Sequence, residues 1–324
     1  MGRKLKSLIF RLPYPILKNI YHIYDYFAYP ELRETRCTFG VKNPKVVFYI
    51  IRPITNSNEG LMSLLLNVCR HILYSESKGY VPIVDFKNYS TQYSDDNFKN
   101  VWEYYFEQIS PYTLDEVYSS KNVILSGLRP IRENTFEPDI RFNDIQLKLA
   151  RDIIKKYIVL KPDVERLLKK ELLNLPENLV GLYLRGTDYT GTKPIGHYIQ
   201  PTLLDVNRLV FDCMSKYANS KVFLVTEDEK NFIDAKKKFE DKLVIVSFDT
   251  FIHNYDNNKL LFESDSLNQI SFDKYDRGLK YLIKILILSK CKIIIGGNTC
   301  GSWAAAAFSD KNTEIHILDL GKYK

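Results

Sequence analysis

The 324-residue sequence predicts an α/β protein made of two Rossmann-like, doubly wound domains that face a cleft. Three observations carry this expectation. Short apolar runs alternate with segments of helical period along most of the chain. Two of those runs end abruptly in polar, glycine-bearing loops, Leu184-Arg-Gly-Thr-Asp188 and Gly297-Asn-Thr-Cys-Gly-Ser302, of the kind that receive ligands where parallel strands stop. A hydrophobic content of 45% is enough to pack a core in each of two domains of ordinary size.

Residues 1–36 read as a basic leader. Arg3, Lys4, Lys6, Arg11 and Lys18 meet no acid before Asp25 and interleave with Leu5, Leu8, Ile9 and Phe10. This is either a partly amphipathic surface for peripheral contact with anionic lipid or a solvated basic tail. No apolar run approaches the ~20 residues that span a bilayer, and the opening lacks a long apolar signal core and a small-residue cleavage site. The expected location is the cytoplasm, peripheral to the inner membrane face.

The first domain is expected over 37–170. A strand over 45–51 leads into a polar turn at 56–60. Leu61, Leu64, Leu65, Val68 and Ile72 then mark an amphipathic helix that stops near Gly79. A strand over 81–85, an aromatic segment at 101–106, a strand over 123–125 and a helical pattern through Ile145, Leu149, Ile153 and Tyr157 follow, with a charged segment over 164–173. The second domain, 171–324, alternates more regularly. Strands are expected over 180–184, 222–225, 243–247, 292–295 and 315–318. Helices are expected over 203–217, 231–239 and 279–288, with a short one around Ala304–Ala307 and a polar loop over 248–276. Such alternation makes a parallel sheet.

The five cysteines, Cys37, Cys69, Cys213, Cys291 and Cys300, are odd in number, scattered and without a Cys-x-x-Cys pair. Neither a disulfide framework nor a zinc site is expected, and a reducing compartment fits. The net charge is +7, the basic residues outside the leader are dispersed among acids, and no nucleic-acid-binding motif appears, so nucleic acid is not an expected partner.

Arg185 leaves a strand end with a guanidinium able to fork onto a phosphate; the plainer reading is an ion pair with Asp188. The loop after 292–295 offers Asn298, Thr299, Gly301 and Ser302 at a helix start, where backbone N–H groups and hydroxyls suit a diphosphate. Two such loops on one sheet point to a nucleotide-sugar donor site. Lys193, His197 and Gln200 lie in a loop stiffened by Pro194, Gly196 and Pro201. His197 is a donor contact, a proton carrier or a plain surface histidine. Before the first long helix, Glu59 is a candidate general base for an acceptor hydroxyl, with Asn58 beside it; alternatively it is a carboxylate favoured by the helix dipole. Trp102 and Tyr105 are either a stacking platform for a glycan acceptor or core.

On these residues the sequence resembles the GDP-fucose-dependent fucosyltransferase superfamily, which spans bacterial alpha-1,2 and nodulation-type enzymes and protein O-fucosyltransferases. Its motif His-x-Arg-Arg-(Gly/Thr)-Asp looks like Tyr183-Leu-Arg-Gly-Thr-Asp188. A strand running into Thr-Asp-Asp or Ser-Asp-Asp is similar to Phe223-Leu-Val-Thr-Glu-Asp228, and Asn-Ser-(Thr/Ser)-Phe-Ser-Trp to Asn298-Thr-Cys-Gly-Ser-Trp303. The likeness runs over about 175–310, in the family's order. The Glu59-Gly60 turn is similar to the one that opens the first helix in such enzymes.

The resemblance implies a GT-B glycosyltransferase, inverting and metal-independent, that moves fucose from GDP-fucose to a hydroxyl of a bacterial surface glycan. In keeping with this the chain has no Asp-x-Asp, the metal-holding pattern of the other large glycosyltransferase architecture. It implies no cofactor and no metal. Arg185 would grip the β-phosphate, Thr226, Glu227 and Asp228 would lie near the nucleotide, and Thr299 and Ser302 would hydrogen-bond the pyrophosphate. Tyr183 replaces the motif's histidine and Gly186 its second arginine, which leaves open another nucleotide sugar, with Lys193 restoring the charge. A non-catalytic glycan- or nucleotide-binding module is the remaining alternative.

Overall fold

A computed structural model of the protein describes residues 33–53, 59–95, 99–127, 144–256 and 259–324, together with Ile20, Ile23 and Phe27. The basic leader residues 3–18 and the candidate acceptor contact Asn58 lie outside the described residues. Among those described, no helix is long and apolar enough to cross a membrane. The chain divides into two units after Lys161.

The first unit runs β1 (Thr35–Cys37), β2 (Lys42–Ile51), α1 (Leu61–Lys78), β3 (Val81–Val84), α2 (Trp102–Tyr105), α3 (Leu114–Val117), β4 (Ser120–Leu125) and α4 (Asp144–Tyr157). Its sheet has the order β1-β4-β2-β3. β4, β2 and β3 are parallel, and β1 adds antiparallel at the edge. Phe48, Tyr49, Ile50 and Ile51 are all fully buried, as a strand covered on both faces requires. α1 stops at Gly79, whose φ of 67° lets its N–H turn back to Glu76 O. The β1 edge was not expected from the sequence, because three residues on an open edge carry no apolar pattern.

In this unit the aromatic segment forms a short helix whose rings point inward. Trp102 is 2% exposed and Tyr105 0%. Trp102 packs edge-on to Phe86 at 6.2 Å and tilted on Phe106 at 4.6 Å, and its Nε1 donates to Glu107 O at 3.0 Å. The reading of Trp102 and Tyr105 as an acceptor platform is therefore corrected. Stacking a sugar needs an open ring face, and both rings are spent on the core.

The second unit runs α5 (Pro162–Leu173), β5 (Leu179–Tyr183), α6 (Asp188–Gly191), α7 (Leu203–Met214), β6 (Lys221–Val225), α8 (Glu229–Phe239), β7 (Leu243–Val244), α9 (Lys274–Leu288), β8 (Ile293–Gly297), α10 (Cys300–Phe308) and β9 (Glu314–Leu318). The split precedes the 170/171 division read from the sequence, because α5 packs on α9. All five strands are parallel, in the order β7-β6-β5-β8-β9. The chain steps outward from β5 to β7, then returns to the other side of β5 for β8 and β9. The order reverses between β5 and β8, where sheets of this kind hold ligands at the carboxyl ends of their strands.

A core of Val180, Leu182, Val222, Leu224, Ile293 and Ile295 is closed by Val206 and Val210 of α7. β7 is shorter than the expected 243–247. Beyond Val244 the chain leaves the ladder, and the Ser247 hydroxyl donates to Glu171 of α5 at 3.1 Å instead.

Candidate functional site

β5 delivers Arg185 to the rim two residues past its last paired position. The guanidinium is held on two sides, Nη1 at 2.8 Å from Glu227 Oε1 and Nη2 at 2.8 Å from Asp188 Oδ1. Its carbon sits 5.1 Å from the centre of the Tyr189 ring. Its side chain is 18% exposed. Burial works against the charge, but Glu227 and Asp188 outweigh it and hold the guanidinium firmly protonated.

The bend that carries Arg185 is fixed by the same carboxylates. Glu227 Oε1 accepts the Gly186 N–H at 2.9 Å and the Thr187 hydroxyl at 3.0 Å, and Asp228 Oδ2 accepts the Thr187 N–H at 3.1 Å. Thr187 adopts φ 47°, a conformation that costs a β-branched residue energy and that these bonds impose. Gly186 is required by contact: a Cβ there would lie 2.3 Å from Asp228 Oδ2 and 2.4 Å from Asp228 Cβ. A side chain at 186 would therefore require the Asp228 side chain to move.

The facing loop leaves β8, which pairs with β5 so that Tyr183 stands opposite Gly296. The two loops therefore emerge side by side from one edge of one sheet. Thr299 caps α10, its Oγ1 accepting the Ser302 N–H at 3.2 Å and lying 3.2 Å from the Ser302 hydroxyl. Gly301 lets Tyr183 approach, since a Cβ would meet Tyr183 Cε1 and the Tyr281 hydroxyl at 2.7 Å each. Tyr183, in the place of the motif's histidine, lies 3.3 Å from Tyr281 hydroxyl to hydroxyl, and burial pushes it up to about 12. Asn298 Oδ1 accepts the Trp303 Nε1–H at 3.1 Å. Gln200 Nε2 donates to the Tyr198 and Asn298 carbonyls at 3.0 and 3.4 Å, while its buried Oε1 finds no hydrogen-bond partner among the described residues.

The loop after β6 completes the rim. Thr226 and Glu227 are buried, and Asp228 caps α8 by accepting the Lys230 N–H at 2.8 Å. Sequence reasoning missed Lys284 of α9. Its Nζ lies 2.8 Å from Asp249 Oδ1 and 3.5 Å from the Thr226 carbonyl, so it pins the rim from below. A lysine within the apolar run Leu282-Ile-Lys-Ile285 was the available signal. Tyr189 and Tyr281 were also missed, being unremarked among 23 tyrosines. A cavity of about 550 Å³ adjoins the bend on the β6 side, lined by Thr187, Thr190, Asp228, Ile233, Ile252, Asn254 and Tyr255 among others.

Lys193 is exposed, with φ 48°. His197 is exposed too, with Nδ1 3.2 Å from the Tyr189 hydroxyl, which links it to the Arg185 cluster. In the first unit Glu59 is half-buried just ahead of the Gly60 cap of α1, and its backbone carbonyl accepts from Gln92 Nε2 at 2.7 Å.

Fold and loops together define a doubly wound α/β domain with a cation and a capped helix N-terminus at the strand-order reversal. No protein-family model and no curated protein matches the chain. Solved structures do. NodZ alpha-1,6-fucosyltransferase soaked with GDP-fucose is 12% identical at a TM-score of 0.46, over 81% of this chain and 93% of that one. Fucosyltransferase NodZ from Bradyrhizobium is 13% identical at 0.47, over 86% and 96%. POFUT1 in complex with GDP-fucose is 9% identical at 0.44, over 86% and 99%.

Proposed function

We propose that the protein is an inverting, metal-independent glycosyltransferase of GT-B architecture that transfers fucose from GDP-fucose to a hydroxyl of a bacterial surface glycan. The acceptor class is a capsule, O-antigen or exopolysaccharide precursor at the cytoplasmic membrane face, which the basic leader approaches. In this reading the second unit holds the donor and the first supplies the acceptor side. The observation that carries it is the emergence of Arg185 and the Thr299–Ser302 cap from adjacent strand ends at the reversal of strand order.

The chemistry is leaving-group stabilisation. As the sugar becomes oxocarbenium-like, negative charge grows on the diphosphate, and a prepositioned cation lowers that barrier. A guanidinium has five N–H donors, so one ion pair to each of Glu227 and Asp188 orients its plane and leaves donors for the β-phosphate. The start of α10 adds its dipole and the Thr299 and Ser302 hydroxyls. Glu59 serves as the general base, and His197 as a donor contact or proton carrier. Asn298, Gly301, Gln200, Thr226 and Asp228 shape the donor site around the nucleotide, and Lys193 offers the charge that Gly186 does not. Gly186, standing where the motif has its second arginine, supports a second reading, a transferase for a different nucleotide sugar, because one cation of the motif is missing.

Incubating the purified protein with a panel of nucleotide sugars in EDTA tests this. Turnover is expected with GDP-fucose. Turnover with another donor alone moves the assignment to the second reading. The absence of hydrolysis and transfer with every donor, together with unchanged nucleotide binding by Arg185→Ala, overturns the enzyme reading in favour of a binding module or neither.

A further inference from the structure

At the other end of the five-stranded sheet, three side chains of metal-binding type converge. Cys213, Glu314 and His316 each bring one ligand atom to within 4.8 Å of the others. Cys213 lies in the last turn of α7, and Glu314 and His316 stand two apart at the start of β9, on the same side of the strand. Glu314 pairs with Ile293, the first residue of β8, whereas the donor-site loops leave the sheet beyond Gly297 and Tyr183. The cluster is therefore independent of the proposed transferase site.

Cys213 is 1% exposed, and Glu314 and His316 are half-buried, so the site has a dry floor and an open mouth. Glu314 Oε1 already lies 2.6 Å from His316 Nε2 and 2.6 Å from Lys216 Nζ. A carboxylate and an imidazole thus converge beside the carboxyl end of a helix, whose dipole favours a cation, and the Lys216 ammonium now holds the place a metal ion would take. We propose that Cys213, Glu314 and His316 form an open, three-ligand site for a zinc-class divalent cation that ties the edge strand β9 to α7.

The chemistry of the set selects the ion. Thiolate, imidazole and carboxylate together suit zinc and its borderline-soft neighbours, while calcium and magnesium want oxygen alone. Bond lengths of ~2.0–2.3 Å around a tetrahedral centre put ligand atoms roughly 3.3–3.8 Å apart, within reach by small side-chain rotations. Binding releases the thiol proton and any proton on His316, and the Lys216 ammonium, on a half-exposed flexible stem, moves out to solvent. Water completes the fourth position at the open mouth. Spacing rules cannot find such a site, because the thiol and the other two ligands come from elements far apart in the chain.

The test uses the full chain, stripped with chelator, desalted and titrated with Zn²⁺, then with Co²⁺. About one Zn²⁺ per chain is expected at micromolar free metal, with a rise in thermal midpoint. His316→Ala and Glu314→Gln, at part-exposed positions, are each expected to weaken binding at least about tenfold and to abolish the rise, with circular dichroism of the metal-free variants matching wild type. Co²⁺ should give a thiolate-to-metal absorption band that Cys300→Ser retains and Cys213→Ser loses. Equal zinc binding by wild type and His316→Ala, binding only at millimolar metal, or a cobalt band lost in Cys300→Ser overturns the proposal.

Discussion

Each sheet carries an arginine where a central strand ends, and the two arginines have different company. Arg52 follows β2 in the first unit and is 4% exposed; its Nε donates to the Ser126 carbonyl at 3.0 Å and its Nη2 to the Arg33 carbonyl at 3.0 Å. Its own N–H donates to the Ser126 hydroxyl at 2.9 Å. These bonds lace the ends of β2 and β4 together. Arg185 instead lies between two carboxylates beside a capped helix start, with part of its side chain open. A charged group at a strand end is not itself a site. Buried and bonded across two strand ends, Arg52 is a rivet, whereas Arg185, held by carboxylates at an open rim, is an oriented cation.

The sharpest way to break this contrast is to exchange the consequences of losing each side chain. Arg185→Lys keeps a charge for Glu227 and Asp188 but loses the fork, so kcat with the preferred donor should fall by ~10² or more with little change in melting temperature. Arg52→Ala should do the reverse, lowering stability by about 1–3 kcal/mol in denaturant titrations while activity per folded molecule stays near wild type. If both variants lose activity equally at equal stability, the distinction between rivet and oriented cation fails.

A second measurement sharpens the account of the Arg185 bend. Gly186→Ala should cost about 1–3 kcal/mol through its clash with Asp228. In an Asp228→Gly background most of that penalty should vanish, giving a coupling of about 1 kcal/mol or more in a double-mutant cycle. Strict additivity would mean that the contact does not govern the position.

The smallest effect belongs to the first unit. His71 is fully buried with Nδ1 2.9 Å from the Tyr49 hydroxyl, and burial first, then Arg70 and Arg52, lowers it to about 3. The unfolded chain therefore binds a proton near pH 6.5 that the folded chain refuses. The stability due to this group is complete above that pH and drains away as pH falls towards 3. Urea midpoints should correspond to a loss of ~1 kcal/mol between pH 7 and 5.5, and His71→Phe should flatten the slope. An unchanged slope would place the pH response elsewhere.

Much of the second unit was legible because its strands are continuous apolar runs between helical segments, and both rim loops could be named from their residues. Asp188 is three residues from Arg185 and so was open to an ion-pair reading. The bond from Glu227 was not, because it depends on β6 lying beside β5. Trp102 and Tyr105 were ambiguous for a physical reason: an aromatic cluster has the same composition whether its rings face a ligand or each other. β7 was overread because Leu243 to Ser247 has strand character, while pairing with β6 ends at Val244 and Ser247 turns to Glu171. Lys284 illustrates a signal present but unused, since a lone ammonium in an apolar helix implies a buried counter-charge.

The close approach of Gly186 and Asp228 also constrains how this chain can change. A larger residue at 186 collides before it can confer anything, whereas trimming 228 first opens the space at the cost of one helix cap and the hydrogen bond it accepts from the Thr187 amide. Changes at 186 and 228 are thus coupled, and the effect of one depends on the other. Libraries that randomise the two positions together should recover combinations that stepwise screens at 186 discard.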